Sequence, residues 1–117
     1  MYVLKFGGSS VGTPSRIISV IDILKDYHKK NIAFTVVFSA FSGVTDELLK
    51  MAQTAARGEV TYLEMWEKFH QRHLDAIHEL VAEGAAQTEI KGRYTEMAAT
   101  LKNLLQGTFL VMEASPR

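Results

Sequence analysis

Lys5, followed at once by Phe6-Gly7-Gly8-Ser9-Ser10-Val11-Gly12, is the segment of this sequence with the clearest capacity for chemistry. The β-favouring run from Val3 to Phe6 predicts a short strand that delivers the lysine near its C-terminal end. Gly7 and Gly8 carry no Cβ to block a close ligand. Ser9 and Ser10 add hydroxyls, and a helix start follows with unpaired backbone N–H groups. Such a set suits an anion with several oxygens. In an open α/β sheet this is also the edge where ligands bind. The order differs from a Walker loop, in which the lysine follows the glycines, and the Gly-x-Gly-x-x-Gly spacing is absent. By residue type alone the plainer reading leads: a Gly-Gly turn after a strand, with a lysine that reaches for solvent.

The elements that must position this segment read as a βαβ unit. Thr13 is a helix N-cap and Pro14 suits the first helical position. Ile17, Val20, Ile21 and Leu24 recur at helical spacing, and the helix runs to about Lys30. Ala33 to Phe38 is a nearly continuous apolar run, as expected of a strand buried on both faces. A helical connection between the two strands makes the pair parallel. Ser39 to Gly43 is a second loop of small residues, after which Thr45 caps a helix with Asp46 and Glu47 in its first turn. Leu48, Leu49 and Ala52 supply the buried stripe of that helix and Gly58 ends it. A long helix spans about Thr61 to Glu83, with Tyr62, Trp66, Phe69, Ile77 and Leu80 along one face and Gly84 at its end. In the next, Ile90, Tyr94, Met97, Leu101 and Leu104 form the stripe. Gly92 weakens its start and Gly107 ends the pattern.

Composition narrows the function classes. The 117 residues fit one domain and carry equal numbers of acids and bases, so no net field draws the chain to nucleic acid or an anionic membrane. Arg72, Lys91, Arg93 and Lys102 are scattered among acids, as on solvated faces. There is no cysteine, which excludes disulfides, thiolate metal sites and cysteine nucleophiles and suits a cytoplasmic protein. No apolar run approaches the ~20 residues that cross a bilayer. Glu67-x-x-His70 has the spacing of half a di-iron carboxylate site, but the second half is missing. His73 falls between Phe69 and Ile77 on the apolar stripe and reads as a packed residue, so no metal site is expected.

Two stretches carry a family resemblance. Lys5-Phe6-Gly7-Gly8-Ser9-Ser10-Val11 resembles the N-terminal signature of aspartate kinases, KFGGTSV. Ser39-Ala40-Phe41-Ser42-Gly43-Val44-Thr45-Asp46 is similar to their second signature, SAMSGVTD, and the spacing between the two agrees. Leu105-Gln106-Gly107-Thr108-Phe109 and Ser115-Pro116-Arg117 resemble the stretch before the family's Gly-Glu segment, in the form found in enzymes that fuse aspartate kinase to homoserine dehydrogenase. Ser9 stands where the family has Thr and keeps the hydroxyl. Phe41 stands where it has Met and is stiffer.

The resemblance implies the N-terminal part of an α/β amino acid kinase fold, three-layered and like carbamate kinase, with residues 1–117 a fragment of the catalytic domain. It implies transfer of the γ-phosphoryl of MgATP to the side-chain carboxylate of L-aspartate, the entry to lysine, threonine and methionine synthesis. Lys5 would neutralise the transferring group. Gly7, Gly8 and Ser9 would hold phosphate oxygens beside it, and Ser39 and Thr45 would help hold aspartate. The family's substrate-binding Glu, its adenine and magnesium sites and its regulatory domains match nothing in these residues, so the fragment alone is expected to be inactive. Ser115-Pro116 announces a helix that the next residue ends, and two strands make an incomplete sheet. Both point to truncation and to self-association, with exchange of helices between copies. The other readings are a different amino acid kinase, such as an acetylglutamate or glutamate kinase, and a non-catalytic phosphate-binding or assembly module.

Overall fold

A computed structural model describes residues 1–114. The described residues form β1 (Tyr2–Phe6), α1 (Pro14–Lys29), β2 (Phe34–Phe38), α2 (Val44–Ala56), α3 (Tyr62–Leu80) and α4 (Ala85–Ala114). The chain is therefore α/β, with two parallel strands and four helices among the described residues. It divides into two compact units, Met1–Thr45 and the residues from Asp46 onward.

The first unit is the expected βαβ. β1 and β2 pair in parallel, from Tyr2 opposite Phe34 to Phe6 opposite Phe38. Thr13 caps α1, its Oγ1 accepting from the Arg16 amide at 3.3 Å, with Pro14 at the start. Val20 is buried and Ile17, Leu24 and Tyr27 are half-buried, so α1 turns one stripe inward. The Tyr27 ring meets Tyr2 and Phe34 edge-on, at 5.8 Å each, and ties α1 to a directly opposed pair of the two strands. Phe6 stacks on Phe38 at the other end. The expectation that β2 is buried on both faces is overturned: Val37 is 45% and Phe38 55% exposed. Continuous apolarity marks a strand that needs two layers, and this unit holds one helix to cover it.

In the second unit α3 packs against α4. Tyr62, Trp66, Phe69 and Ala76 are buried from α3, and Ala98 and Leu105 from α4. The Trp66 indole N–H donates to the Ala98 carbonyl at 3.2 Å, and Lys102 Nζ lies 4.5 Å over the same ring. Tyr62 and Phe109 meet at 5.4 Å nearer the end of α4.

Several boundaries and faces differ from the sequence expectation. α2 begins at Val44, so Thr45 is inside its first turn and is not its cap. Gly43 takes φ +81°, and the Val44 amide already donates to Phe41 O at 3.1 Å. The buried side of α2 is Met51, Thr54 and Ala55, with Leu48 half-buried, whereas Leu49 and Ala52 are exposed. α3 stops at Leu80 because Val81 turns extended. Gln87 Nε2 then donates to Val81 O at 2.8 Å, and Gly84, at φ +147°, lends its carbonyl to the Thr88 amide. α4 passes through both Gly92 and Gly107. A glycine costs a helix about 1 kcal/mol relative to alanine, and packing on α3 outweighs that. The inward stripe of α4 is Tyr94, Ala98, Leu101, Leu105 and Phe109, while Met97 and Leu104 are largely exposed. The helix start read at Ser115-Pro116 lies outside the described residues.

Candidate functional site

β1 ends at Phe6 and the loop from Gly7 to Gly12 turns directly into α1. Its backbone is arranged with few internal bonds. Ser10 N donates to Gly7 O at 3.1 Å, whereas the amides of Gly7, Gly8 and Ser9 find no acceptor among the described residues. Adjacent N–H groups without internal acceptors can donate to the oxygens of an anion. Gly7 has open space where a Cβ would be, so a ligand can approach the main chain there.

The second loop lies against the first. A Cβ on Gly8 would sit 3.5 Å from both Ser39 Oγ and Ala40 O. A Cβ on Gly12 would sit 3.1 Å from the Ser42 Cβ and 3.2 Å from Gly8 O, tighter than the loops tolerate without shifting. Ser39 N donates to Phe6 O at 3.0 Å, which extends the β1–β2 pairing into the site. The Ser39 hydroxyl donates to its neighbour Ala40 O at 2.9 Å and remains exposed. Gly8 and Ser39 are thus brought together at one end of the two-stranded sheet.

Lys5 lies opposite Val37, one residue before the end of β1, and is exposed with no carboxylate in ion-pair range among the described residues. Its side chain is on the strand face opposite Phe6. Thr45 is exposed and its hydroxyl makes no hydrogen bond among the described residues, so that hydroxyl is available to a ligand at the start of α2. Ser9 is exposed at the loop's crest.

Arg16 was missed by motif reading. Its guanidinium donates to the Ser9 carbonyl at 2.7 Å, and with Ser9, Ser10 and Ser19 it lines an open depression of about 300 Å³ floored by Phe6. A signal was present in the sequence: a cation three residues past a helix cap stands where the helix dipole disfavours it.

The second unit offers packing in place of ligation. Among the described residues no group of three histidine or acidic side chains could hold a metal ion. His70 stacks on Trp66 and its Nδ1 lies 3.0 Å from the Tyr94 hydroxyl. His73 stacks on Tyr94, with Nδ1 2.8 Å from Phe69 O. Burial pushes the Tyr94 phenol up to about 12. The folded state thus favours the neutral phenol. This contribution to stability is complete below the ordinary tyrosine value of about 10 and is lost as pH rises from there to about 12. Titrating phenolate absorbance against Tyr94→Phe is expected to show one late-ionising tyrosine missing from the variant, and a smaller loss of helicity in that alkaline range.

The sequence matches the amino acid kinase family over residues 1–110. It is 28% identical to bifunctional aspartokinase/homoserine dehydrogenase 1, chloroplastic, of Zea mays over 114 residues, 97% of this chain and 12% of that protein. It is 42% identical to an aspartate kinase of Pseudomonas fluorescens (strain SBW25) over 53 residues, 45% of this chain and 13% of that one. The chain thus spans about an eighth of the length of these relatives.

Proposed function

Because the chain belongs to the amino acid kinase family, we propose that its first unit is the phosphate-binding side of an aspartate kinase active site, in a protein that phosphorylates the side-chain carboxylate of L-aspartate from MgATP. The observation that carries this reading is the loop at the end of β1. Three successive amides, those of Gly7, Gly8 and Ser9, are without acceptors among the described residues, and the Ser39 hydroxyl is held beside Gly8. The names of the two relatives favour aspartate as the acceptor.

The chemistry asked of these residues is positioning and neutralisation. A carboxylate oxygen of aspartate forms a bond to the γ-phosphorus as the bond from that phosphorus to the bridging oxygen of ADP breaks, and ADP carries away the electron pair. No covalent bond to the protein is made. The amides of Gly7, Gly8 and Ser9 bind phosphate oxygens, and Lys5 offsets the charge on the group in flight. Thr45 donates to the aspartate, and Ser39 does so once its hydroxyl turns away from Ala40 O. The magnesium that the reaction uses has no ligand set among the described residues, and no step here is assigned to it.

In this reading residues 1–117 are the N-terminal segment of the catalytic domain, acting in the cytoplasm. The described helices include none long and apolar enough to cross a membrane. Calorimetric titration of the chain with MgATP, then with L-aspartate, tests the reading. Heat from MgATP binding is expected, with no turnover by this chain alone. A folded chain that takes up no MgATP sinks it.

Self-association belongs to the same proposal. Ile90, Met97, Leu104 and Val111 repeat every seven residues along α4 and all four are exposed. A seven-residue apolar repeat is the pattern of a helix seam. Light scattering is expected to find the chain larger than a monomer, and a monomer at every concentration would refute this part.

A further inference from the structure

Arg16 is the third residue of α1, at the positive end of the helix dipole, where a cation is disfavoured. Among the described residues no carboxylate lies in ion-pair range of it. Its recorded side-chain partner is a main-chain oxygen, Ser9 O, at 2.7 Å. That is a short, charge-assisted hydrogen bond from a side chain that had other directions open to it. It joins two further ties. Ser10 N donates to Gly7 O at 3.1 Å, and Thr13 Oγ1 accepts from the backbone of Arg16 itself at 3.3 Å.

Together these bonds fix the Ser9–Ser10 peptide. Its N–H is turned back to Gly7 and its carbonyl is turned to Arg16. The fixing matters because Gly7 and Gly8 place little steric limit on their own dihedral angles. A Gly-rich loop left to itself samples peptide orientations that present carbonyl oxygens, and these repel an anion. Holding the Ser9 carbonyl to a guanidinium removes that orientation in advance, so the ligand need not supply the ordering. Arg16 is exposed and lines the open depression beside Ser9, Ser10 and Ser19, so the charge stays hydrated next to the loop.

We propose that Arg16 is a positioning residue for this loop: its guanidinium clamps the Ser9 carbonyl and keeps the Gly7, Gly8 and Ser9 amides turned out to bind phosphate. The consequence for binding rests on the phosphate reading above, whereas the clamp itself can be tested without it.

Amide hydrogen exchange on the 117-residue chain separates the two. In Arg16→Met the Ser10 amide, which is bonded to Gly7 O, is expected to exchange about tenfold faster, the loss of one charge-assisted bond, while amides in the middle of α1 keep their rates. Kd for MgATP is expected to rise by a similar factor. Arg16→Lys, which keeps the charge and one donor, is expected to recover part of both. Loop exchange unchanged in a folded Arg16→Met overturns the clamp. Should that variant not fold, the guanidinium protons of the wild-type chain decide by NMR: protected signals support the clamp, and freely averaging ones overturn it. If the wild-type chain binds no MgATP, the phosphate reading falls while the exchange rates still judge Arg16.

Discussion

Lys5→Ala is expected to weaken MgATP binding by the chain about ten- to hundredfold, the range for removing one charged hydrogen-bond donor from a phosphate. The fold should be untouched, because the side chain is exposed and has no ion pair among the described residues to lose. Circular dichroism and the denaturation midpoint are therefore expected to match the unsubstituted chain, and calorimetry to report the difference. Lys5→Arg should recover little. A guanidinium is planar and broad, and the group in flight calls for a compact charge at the end of a strand. In the whole enzyme the same substitution is expected to lower kcat by about a hundredfold or more, on the scale of losing one preorganised electrostatic contact at the reacting group. Equal MgATP affinity in wild type and Lys5→Ala would detach the lysine from the phosphate site and leave the glycine loop to act alone.

The largest effect on stability is expected at Trp66. It is 6% exposed, and its ring is engaged on several sides: the indole N–H bonds to Ala98 O, His70 stacks at 4.6 Å, and the Lys102 ammonium sits above it. Trp66→Ala removes a large apolar body from the contact between α3 and α4 and leaves a cavity. Substitutions of this kind cost about 3–5 kcal/mol. For one packed helix pair that is a large share of a typical folding free energy. Urea denaturation followed by circular dichroism is expected to show the helical transition at much lower denaturant, or none. Trp66→Phe keeps most of the burial and gives up the hydrogen bond, so it should fall between. A loss below about 1 kcal/mol in Trp66→Ala would mean that the α3–α4 contact does not hold the second unit together.

Sequence patterns located most of the elements because their signals are local. Thr13-Pro14 marks the start of α1 by cap chemistry and a preset φ, and both operate within one turn. The strand ending at Gly7-Gly8, and the loop from Ser39 to Gly43, follow from the same kind of short-range rule. His73 was legible too, since it lies within the apolar stripe and is found stacked on Tyr94. Boundaries and faces were less legible. Thr45 looked like a cap by type, yet the conformation of Gly43 starts α2 before it. Gly107 looked like a stop, yet a helix packed along α3 runs through it. For α4 the sequence offers two apolar stripes, one with Met97 and Leu104 and one with Ala98 and Leu105. Only the partner helix selects between them, and it selects the side with the small Ala98, where the Trp66 ring comes close enough to bond the backbone.

The site divides in the same way. The residue types that can hold a phosphate, a strand-end cation, two glycines and two hydroxyls, are consecutive, so their order is compatible with an anion site, but by type alone a plain Gly-Gly turn leads and the family resemblance turns the reading. What tertiary structure decided is which groups share the site. Ser39 stands some thirty residues from Gly8 in the chain, and the parallel pairing of β1 with β2 sets the two loops side by side. Arg16 joins the loop because one turn of α1 carries its guanidinium back over Ser9. Local rules act through neighbouring dihedral angles and so can be read along the chain. Which carbonyl an arginine reaches, or which face of a helix is buried, depends on residues that become neighbours only when the chain has folded.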